Sequence, residues 1–267
     1  MLTPSARIVV GFALSAAAVG CSAGPAWSDS FESYAPGSFP GGRWRDFGTE
    51  AVPVPPLPTG TVTKTTGMNG SSTRAFQVYQ RSGRSQGIIA DIDHADTHRF
   101  EADLRVDLHP TPARFGDWTA ALGYFKESDP AADINFEPQG IVYVYNQRWW
   151  FYGATGFGNP TNIQLGSAVV TAGTWYHVSL GVDTRTGVFN VQISDAAQTL
   201  INRQVGISGY IASTGRYNRV GIYDGEYSGQ SATPGQFSAD NVSYVPTPAT
   251  AAALLGLGVV RRRRKSV

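Results

Sequence analysis

Thr174-Trp175-Tyr176-His177-Val178-Ser179-Leu180-Gly181-Val182 alternates between an apolar face of Tyr176, Val178, Leu180 and Val182 and a more polar face of His177, Ser179 and Gly181. Successive side chains of a strand point to opposite sides, so this period of two predicts a half-buried strand. Asp183-Thr184-Arg185-Thr186-Gly187 follows, and then a second alternating run, Val188-Phe189-Asn190-Val191-Gln192-Ile193. Gly187 can take the left-handed conformation that closes such a hairpin. Working outward, Phe100 to Asp107 and Ile141 to Tyr145 alternate as cleanly, and Asn146-Gln147 predicts a turn into 148–154. Further strands are expected at 61–66, 73–80, 86–90, 117–126, 198–204, 217–223 and 236–244. Pro53, Pro55, Pro56 and Pro58 cannot donate to a ladder, so 51–60 is expected to be an extended loop. Many short strands separated by Gly and Pro predict an all-β protein, an antiparallel β-sandwich in one domain over 27–244.

Composition agrees. Aromatic residues are 12% and hydrophobic residues 42% of the 267, enough for a core and incompatible with a disordered chain. Arg7 and the five bases from Arg261 to Lys265 lie in terminal segments that contain no acid. Without them, 15 basic residues face 20 acidic ones, and the body carries about −5. Phosphate backbones require a basic footprint, so nucleic acid is an unsuitable partner for this body.

Both ends read as addresses. Residues 1–26 combine a singly basic start, the apolar run Ile8 to Val19 and small residues at Ala23 and Ala26, the layout of a secretory signal peptide. Cys21, the only cysteine, lies within it. Ala18-Val19-Gly20-Cys21 resembles a lipobox, which would make Cys21 an acylated N-terminus; otherwise it leaves with the leader and the mature chain has no cysteine.

At the other end, Val245-Pro246-Thr247-Pro248 precedes an apolar stretch from Ala249 to Val260, then Arg261, Arg262, Arg263, Arg264 and Lys265. A twelve-residue helix spans about 18 Å, against a bilayer core of about 30 Å. The segment is therefore short for a permanent span, while its basic cluster favours the cytoplasmic side. This order resembles the PEP-CTERM sorting signal of Gram-negative-type bacteria, with Pro-Thr-Pro in place of Pro-Glu-Pro. The resemblance implies recognition by an exosortase-type protease, removal of residues 245–267 and delivery of the body to the cell surface or extracellular matrix. An ordinary tail anchor is the alternative.

The body resembles the concanavalin A-like jelly roll, including laminin-G-like modules. The resemblance rests on Ser30-Phe31-Glu32-Ser33-Tyr34, on Gly173 to Val178 with Asp183, Thr186 and Gly187, and on Phe237-Ser238-Ala239-Asp240-Asn241-Val242. In such folds the first and last strands pair, which would bring Glu32 near Asp240. By resemblance those two residues are the candidate ligands of a structural Ca²⁺, with backbone carbonyls completing the shell.

Retaining glycoside hydrolysis needs two carboxylates about 5–5.5 Å apart on one face. Glu101, Asp103 and Asp107 share a face, but Arg105 lies among them, as on a solvated outer surface. The cluster Asp91, Asp93, His94, Asp96 and His98 matches no closed metal site. No residue is assigned a catalytic role, and His177 reads as a half-buried, satisfied histidine.

The aromatic supply points instead to binding. In Arg148-Trp149-Trp150-Phe151-Tyr152, Trp149 and Phe151 share one face and Trp150 and Tyr152 the other, so one pair belongs in the core. Trp149, Trp150, Tyr152, Tyr143 and Tyr145 are the candidates for a ring platform that stacks on sugars, with Trp118 and Tyr124 nearby. The expectation is a non-enzymatic, exported surface or matrix protein whose jelly roll binds polysaccharide. A carbohydrate-active enzyme of the same fold and a purely structural matrix protein are the alternatives. Deleting residues 245–267 should release the body into the medium, as followed by immunoblotting of cells and supernatant; continued cell association would refute the sorting signal.

Overall fold

The computed structural model describes residues 26–48, 60–79, 86–93, 96–111, 118–127, 136–153, 161–207, 219–225 and 235–247. They form strands, numbered along the chain, and no helix long and apolar enough to cross a membrane. In one sheet β13 (Thr199–Gly206), β12 (Val188–Ser194), β11 (Trp175–Asp183), β6 (Thr97–Leu108), β15 (Gln236–Thr247), β4 (Ser72–Tyr79) and β3 (Gly60–Thr66) lie side by side. A short strand, β1 (Trp27–Asp29), adds to β15. The second sheet runs β10 (Thr161–Val169), β9 (Arg148–Gly153), β8 (Phe136–Tyr145), β7 (Trp118–Glu127), β14 (Arg219–Gly225), β5 (Gln86–Asp91) and β2 (Trp44–Gly48). Neighbouring strands in both sheets are antiparallel. The all-β sandwich expected from the alternation is the fold.

The period of two decides which side chains fill the space between the sheets. Phe100, Ala102, Leu104 and Val106 of β6, Tyr176, Val178, Leu180 and Val182 of β11, and Phe189, Val191 and Ile193 of β12 enter from the first sheet. Leu122 and Tyr124 of β7, Val142 and Val144 of β8, Trp149 and Phe151 of β9, and Val220 and Ile222 of β14 meet them from the second. Burying a large apolar side chain contributes about 1.5–3 kcal/mol, so this interior outweighs any other stabilising term. Tyr124, counted above among possible platform residues, belongs here; its hydroxyl donates to the Leu180 carbonyl at 2.9 Å.

The expected hairpin of β11 and β12 forms, with a register that runs from His177 opposite Ser194 to Asp183 opposite Val188. Gly187 sits at φ 67°, and its N–H donates to the Asp183 carbonyl at 2.9 Å. Asn146 and Gln147 turn β8 into β9, both at positive φ. Three strands were not expected. β1 and β2 are short, and β10, Thr-Asn-Ile-Gln-Leu-Gly-Ser-Ala-Val, lies at a sheet edge where only Leu165 is buried, so its hydrophobic period is weak.

Of the several register shifts in the ladders, two coincide with a non-glycine residue at positive φ. One lies between Thr119 and Leu122 of β7, where Ala120 has φ 50°. The other lies between Asp240 and Ser243 of β15, where Asn241 has φ 48°. Each inserts a residue and shifts the face to which later side chains point. In β15 this keeps Phe237 and Ala239 inside before the bulge, and Val242 and Tyr244 inside after it.

β15 continues to Thr247, with Pro246 opposite His98 and Thr247 opposite Thr97. The sandwich thus extends three residues past 244, and a truncation that leaves its last strand whole starts at Pro248. Residues 1–25, Cys21, His94, the proline-rich stretch 51–59 and residues 248–267 lie outside the described residues.

Gly140 of β8 faces the core, and a Cβ there would fall inside the ring of Phe189. Gly140→Ala should therefore destabilise the fold by about 1–3 kcal/mol, visible as a lower melting temperature in a calorimetric scan, whereas Gly206→Ala, which meets nothing within 4 Å, should not show the steric effect.

Candidate functional site

The outward side of the second sheet carries a second apolar cluster. Ile89, Ala121, Phe125, Ile141, Tyr143 and Tyr223 are buried there, with Trp118, Tyr145, Trp150 and Tyr152 half-buried around them. The alternation in β8 and β9 places them: Val142, Val144, Trp149 and Phe151 point in, so Tyr143, Tyr145, Trp150 and Tyr152 point out. The Trp118 ring stacks on Tyr143 at 4.7 Å between centroids and leans on Tyr152 at 5.4 Å. Trp150 meets Tyr145 edge-on at 5.9 Å. The Tyr143 hydroxyl donates to Asn162 Oδ1 at 3.0 Å.

Of the five aromatic candidates, the structure brings Tyr143, Tyr145, Trp150 and Tyr152 to one face. Trp149 does not join them. It is 1% exposed inside the sandwich, edge-on to Tyr176 at 5.6 Å, so no ligand ring can stack on it. Tyr143 is also buried and supports Trp118 from below. The half-exposed rings are Trp118, Tyr145, Trp150 and Tyr152.

Beside this cluster Asp91 accepts from Arg45 Nη2 at 2.6 Å and from Arg219 Nε at 2.9 Å. Asp91 is thus a surface ion-pair residue, while His98 from the same sequence cluster points inward against the Tyr244 hydroxyl at 2.5 Å. Among the described residues of the cluster from Asp91 to His98, the side chains do not converge on one metal. Among the described residues no histidine faces the aromatic side, and burial holds the Tyr143 and Tyr223 phenols above their ordinary range. Among the described residues the face offers flat rings and hydrogen-bonding groups.

The outer side of the first sheet is polar. Asp103 accepts from His177 Nδ1 and from Asn241 Nδ2, each at 2.8 Å. Glu101 accepts from Ser179 at 2.8 Å, and Asp107 pairs with Arg105 and Ser238. Each of the three β6 carboxylates is tied to neighbours on its own sheet. The Asp103 hydrogen bond raises the pKa of His177.

At one end of this surface Glu32 and Asp240 are brought together, by a residue that sequence reasoning missed. Asp29 holds the N-terminal hook, accepting from the Phe31 N–H, the Tyr34 hydroxyl and Trp44 Nε1 at 2.8–2.9 Å. Arg74 Nη1 clamps the Glu32 and Tyr34 carbonyls at 2.6 and 2.8 Å. The Thr73 hydroxyl then lies 2.7 Å from Glu32 Oε1 and 2.9 Å from Asp240 Oδ2. No motif marks Thr73; only the register of β4 against β15 brings it there.

A hydroxyl has one hydrogen, so it cannot donate to both carboxylates at once. A proton on one of the two carboxyls, or a cation between them, would satisfy the second contact. The Arg74 N–H and the Thr73 hydroxyl hold Glu32 below its ordinary value. Burial pushes Asp240 up to about 6, with Asp103 and Glu32 adding repulsion against its hydrogen bonds from Thr73 and the Asn241 N–H. Two carboxylates and a hydroxyl on a cavity of about 490 Å³ that Asn69, Asp103 and Asn241 also line fit a hard cation. Among the described residues no three His, Cys, Asp or Glu side chains converge on one metal position, so such an ion would take its remaining ligands from hydroxyls, carbonyls or water.

No protein-family model matches the chain, and no curated protein sequence matches it. Among solved structures the sandwich is similar to the cellulose-induced protein Cip1, with a TM-score of 0.52 and 13% identity over 84% of this chain and 98% of that one. It is also similar to an endo-β-1,4-glucuronan lyase from the fungus Trichoderma reesei, at 0.48 and 14% over 76% and 95%. An alginate lyase from Klebsiella pneumoniae aligns at 0.47 and 10% over 69% and 84%. At 13% identity the likeness to Cip1 shows the fold alone, the jelly-roll β-sandwich.

Because the folded-state value for Asp240 lies above its ordinary 3.8, its ionisation destabilises the fold, with no effect below pH 4 and the full effect above about 6. With a chelator present, Asp240→Asn should match the wild type at pH 4 and exceed it by about 1–2 kcal/mol at pH 7.5, measured by urea unfolding.

Proposed function

We propose that this is an exported cell-surface or matrix protein that binds polysaccharide through the outward face of its second sheet. The observation that carries the reading is the half-exposed ring group of Trp118, Tyr145, Trp150 and Tyr152 over a buried aromatic floor. Aromatic rings gathered in one patch mark a ligand surface, and flat rings suit the apolar faces of sugars. The carbohydrate-related names of several structural neighbours agree with this reading without deciding it. Export and sorting rest on the two terminal segments, with an exosortase-type protease as the processing partner and a short C-terminal membrane-targeting segment.

Binding without turnover is favoured over catalysis, because the carboxylates of β6 are engaged on the opposite surface and burial holds the Tyr143 and Tyr223 phenols above their ordinary range. In the test, the purified chain is run through gels containing bacterial or algal polysaccharides while unsaturated and reducing-end products are assayed. Retardation without product, weakened about tenfold or more by Trp150→Ala, is expected. Product release would make the protein an enzyme of the same fold, and no retardation on any glycan would leave a structural matrix role.

Glu32 and Asp240 are proposed to hold a structural Ca²⁺, which would tie the N-terminal hook to β15 and relieve the shared hydrogen at Thr73. A ligand that binds only the folded state stabilises it by mass action. A chelator should therefore lower the melting temperature by several degrees and added Ca²⁺ should restore it; identical melts in the two buffers would remove the site.

A further inference from the structure

A second cavity, of about 330 Å³, opens where the β8–β9 turn meets the start of β7, lined by His109, Thr111, Thr119, Val144, Asn146 and Gln147. Neither the aromatic face nor the Glu32–Asp240 pair uses it. Three features set it apart. Thr119 is 1% exposed, and its hydroxyl has no hydrogen-bond partner, a state that is costly when nothing compensates. His109 Nε2 lies 3.0 Å from the Val170 carbonyl. Since a carbonyl only accepts, Nε2 carries the proton, and the neutral ring keeps Nδ1 as an acceptor; burial lowers the pKa of this histidine and keeps it neutral.

The third feature is backbone strain. Of the five non-glycine residues at positive φ among the described residues, Asn146 and Gln147 line this cavity, and Ala120 adjoins Thr119 in the β7 bulge. Asn suits the first turn position, but glycine would suit the second better than glutamine. The turn alone does not account for Gln147; a side chain used at the cavity does.

The described lining points to the ligand class. Among the described residues it presents hydroxyls, amides and a neutral imidazole, with Pro110 and Val144 as apolar wall, and no charged side chain. A charged ligand would find no partner among these residues and would be desolvated. The volume is at the low end of the about 300–1,000 Å³ of small-molecule sites, which suits one ring rather than a chain. Thr119 and Val144 are next in sequence to Trp118 and Tyr145, so the cavity lies at the end of the strands that carry the ring platform.

We propose that this cavity binds one neutral hexose ring, the terminal residue of a glycan whose following residues lie on the aromatic face. The chain-end part rests on the polysaccharide reading; the hexose site does not. The test is saturation-transfer NMR of the full chain with D-glucose, D-galactose and D-mannose, for the wild type, Thr119→Val, Gln147→Gly and Trp150→Ala. At least one hexose should bind the wild type and Trp150→Ala alike. Thr119→Val should bind it about tenfold more weakly while melting no lower than the wild type, because it deletes an unpaired hydroxyl. Gln147→Gly should also weaken binding while melting higher, because it relieves the turn; a merely structural glutamine would leave binding unchanged.

Signal from none of the three sugars, or equal binding by Thr119→Val and Gln147→Gly, overturns the site. Loss of the sugar in Trp150→Ala alone would move it to the aromatic face, overturning the cavity and sparing the polysaccharide reading. Hexose binding that depends on Thr119, with no polymer retained in gels, would uphold the cavity and overturn both the polysaccharide reading and the chain-end role.

Discussion

The insertion of β15 between β6 and β4 is the constraint on which the rest of the structure depends. This last strand pairs on one side with β6 over nearly its whole length and on the other with β4 and β1. Without it the first sheet divides into separate pieces, and Phe237, Ala239, Val242 and Tyr244 leave the core. Such pairing joins residues far apart in sequence, so loop-closure entropy must be overcome before any of it is rewarded. The burial gained between the two sheets has to supply that cost, which is why Gly140 must leave room for Phe189.

Both candidate sites are displaced from regular sheet by a bulge. In β15 the extra residue leaves Asp240 and Asn241 at the outer surface next to Glu32 and Thr73, while the strand on either side stays in register with the core. In β7 the extra residue sends Trp118 outward and leaves Thr119 buried at the cavity. Local irregularity carries the chemistry here, and the regular ladders carry the stability.

How far this could be read from the sequence follows from the same division. Period-two alternation is a property of neighbouring residues, so β6, β8, β11 and β12 were legible, and so was the pairing of Trp150 with Tyr152 against Trp149 with Phe151. Which pair faced inward was not, because alternation has no sign until a second sheet covers one side. β10 escaped because an edge strand buries little and needs no strong pattern. The approach of Glu32 to Asp240 followed from the resemblance to jelly rolls, yet Thr73, which joins them, carries no local signal. Neither bulge is marked by glycine, so the outward turn of Trp118 and the burial of Thr119 were invisible before the register was known.

The adjacency of Trp27 and Tyr244 across β1 and β15 has a geometric consequence. The described chain enters and leaves the sandwich at the same end of the same sheet, while the aromatic rings lie on the outward surface of the other. A tether at either terminus, whether lipid, membrane segment or matrix link, would therefore grip the protein by one side only. The opposite side would remain turned toward the surroundings, like a palm held away from the wrist, with no hinge or second domain needed to orient it.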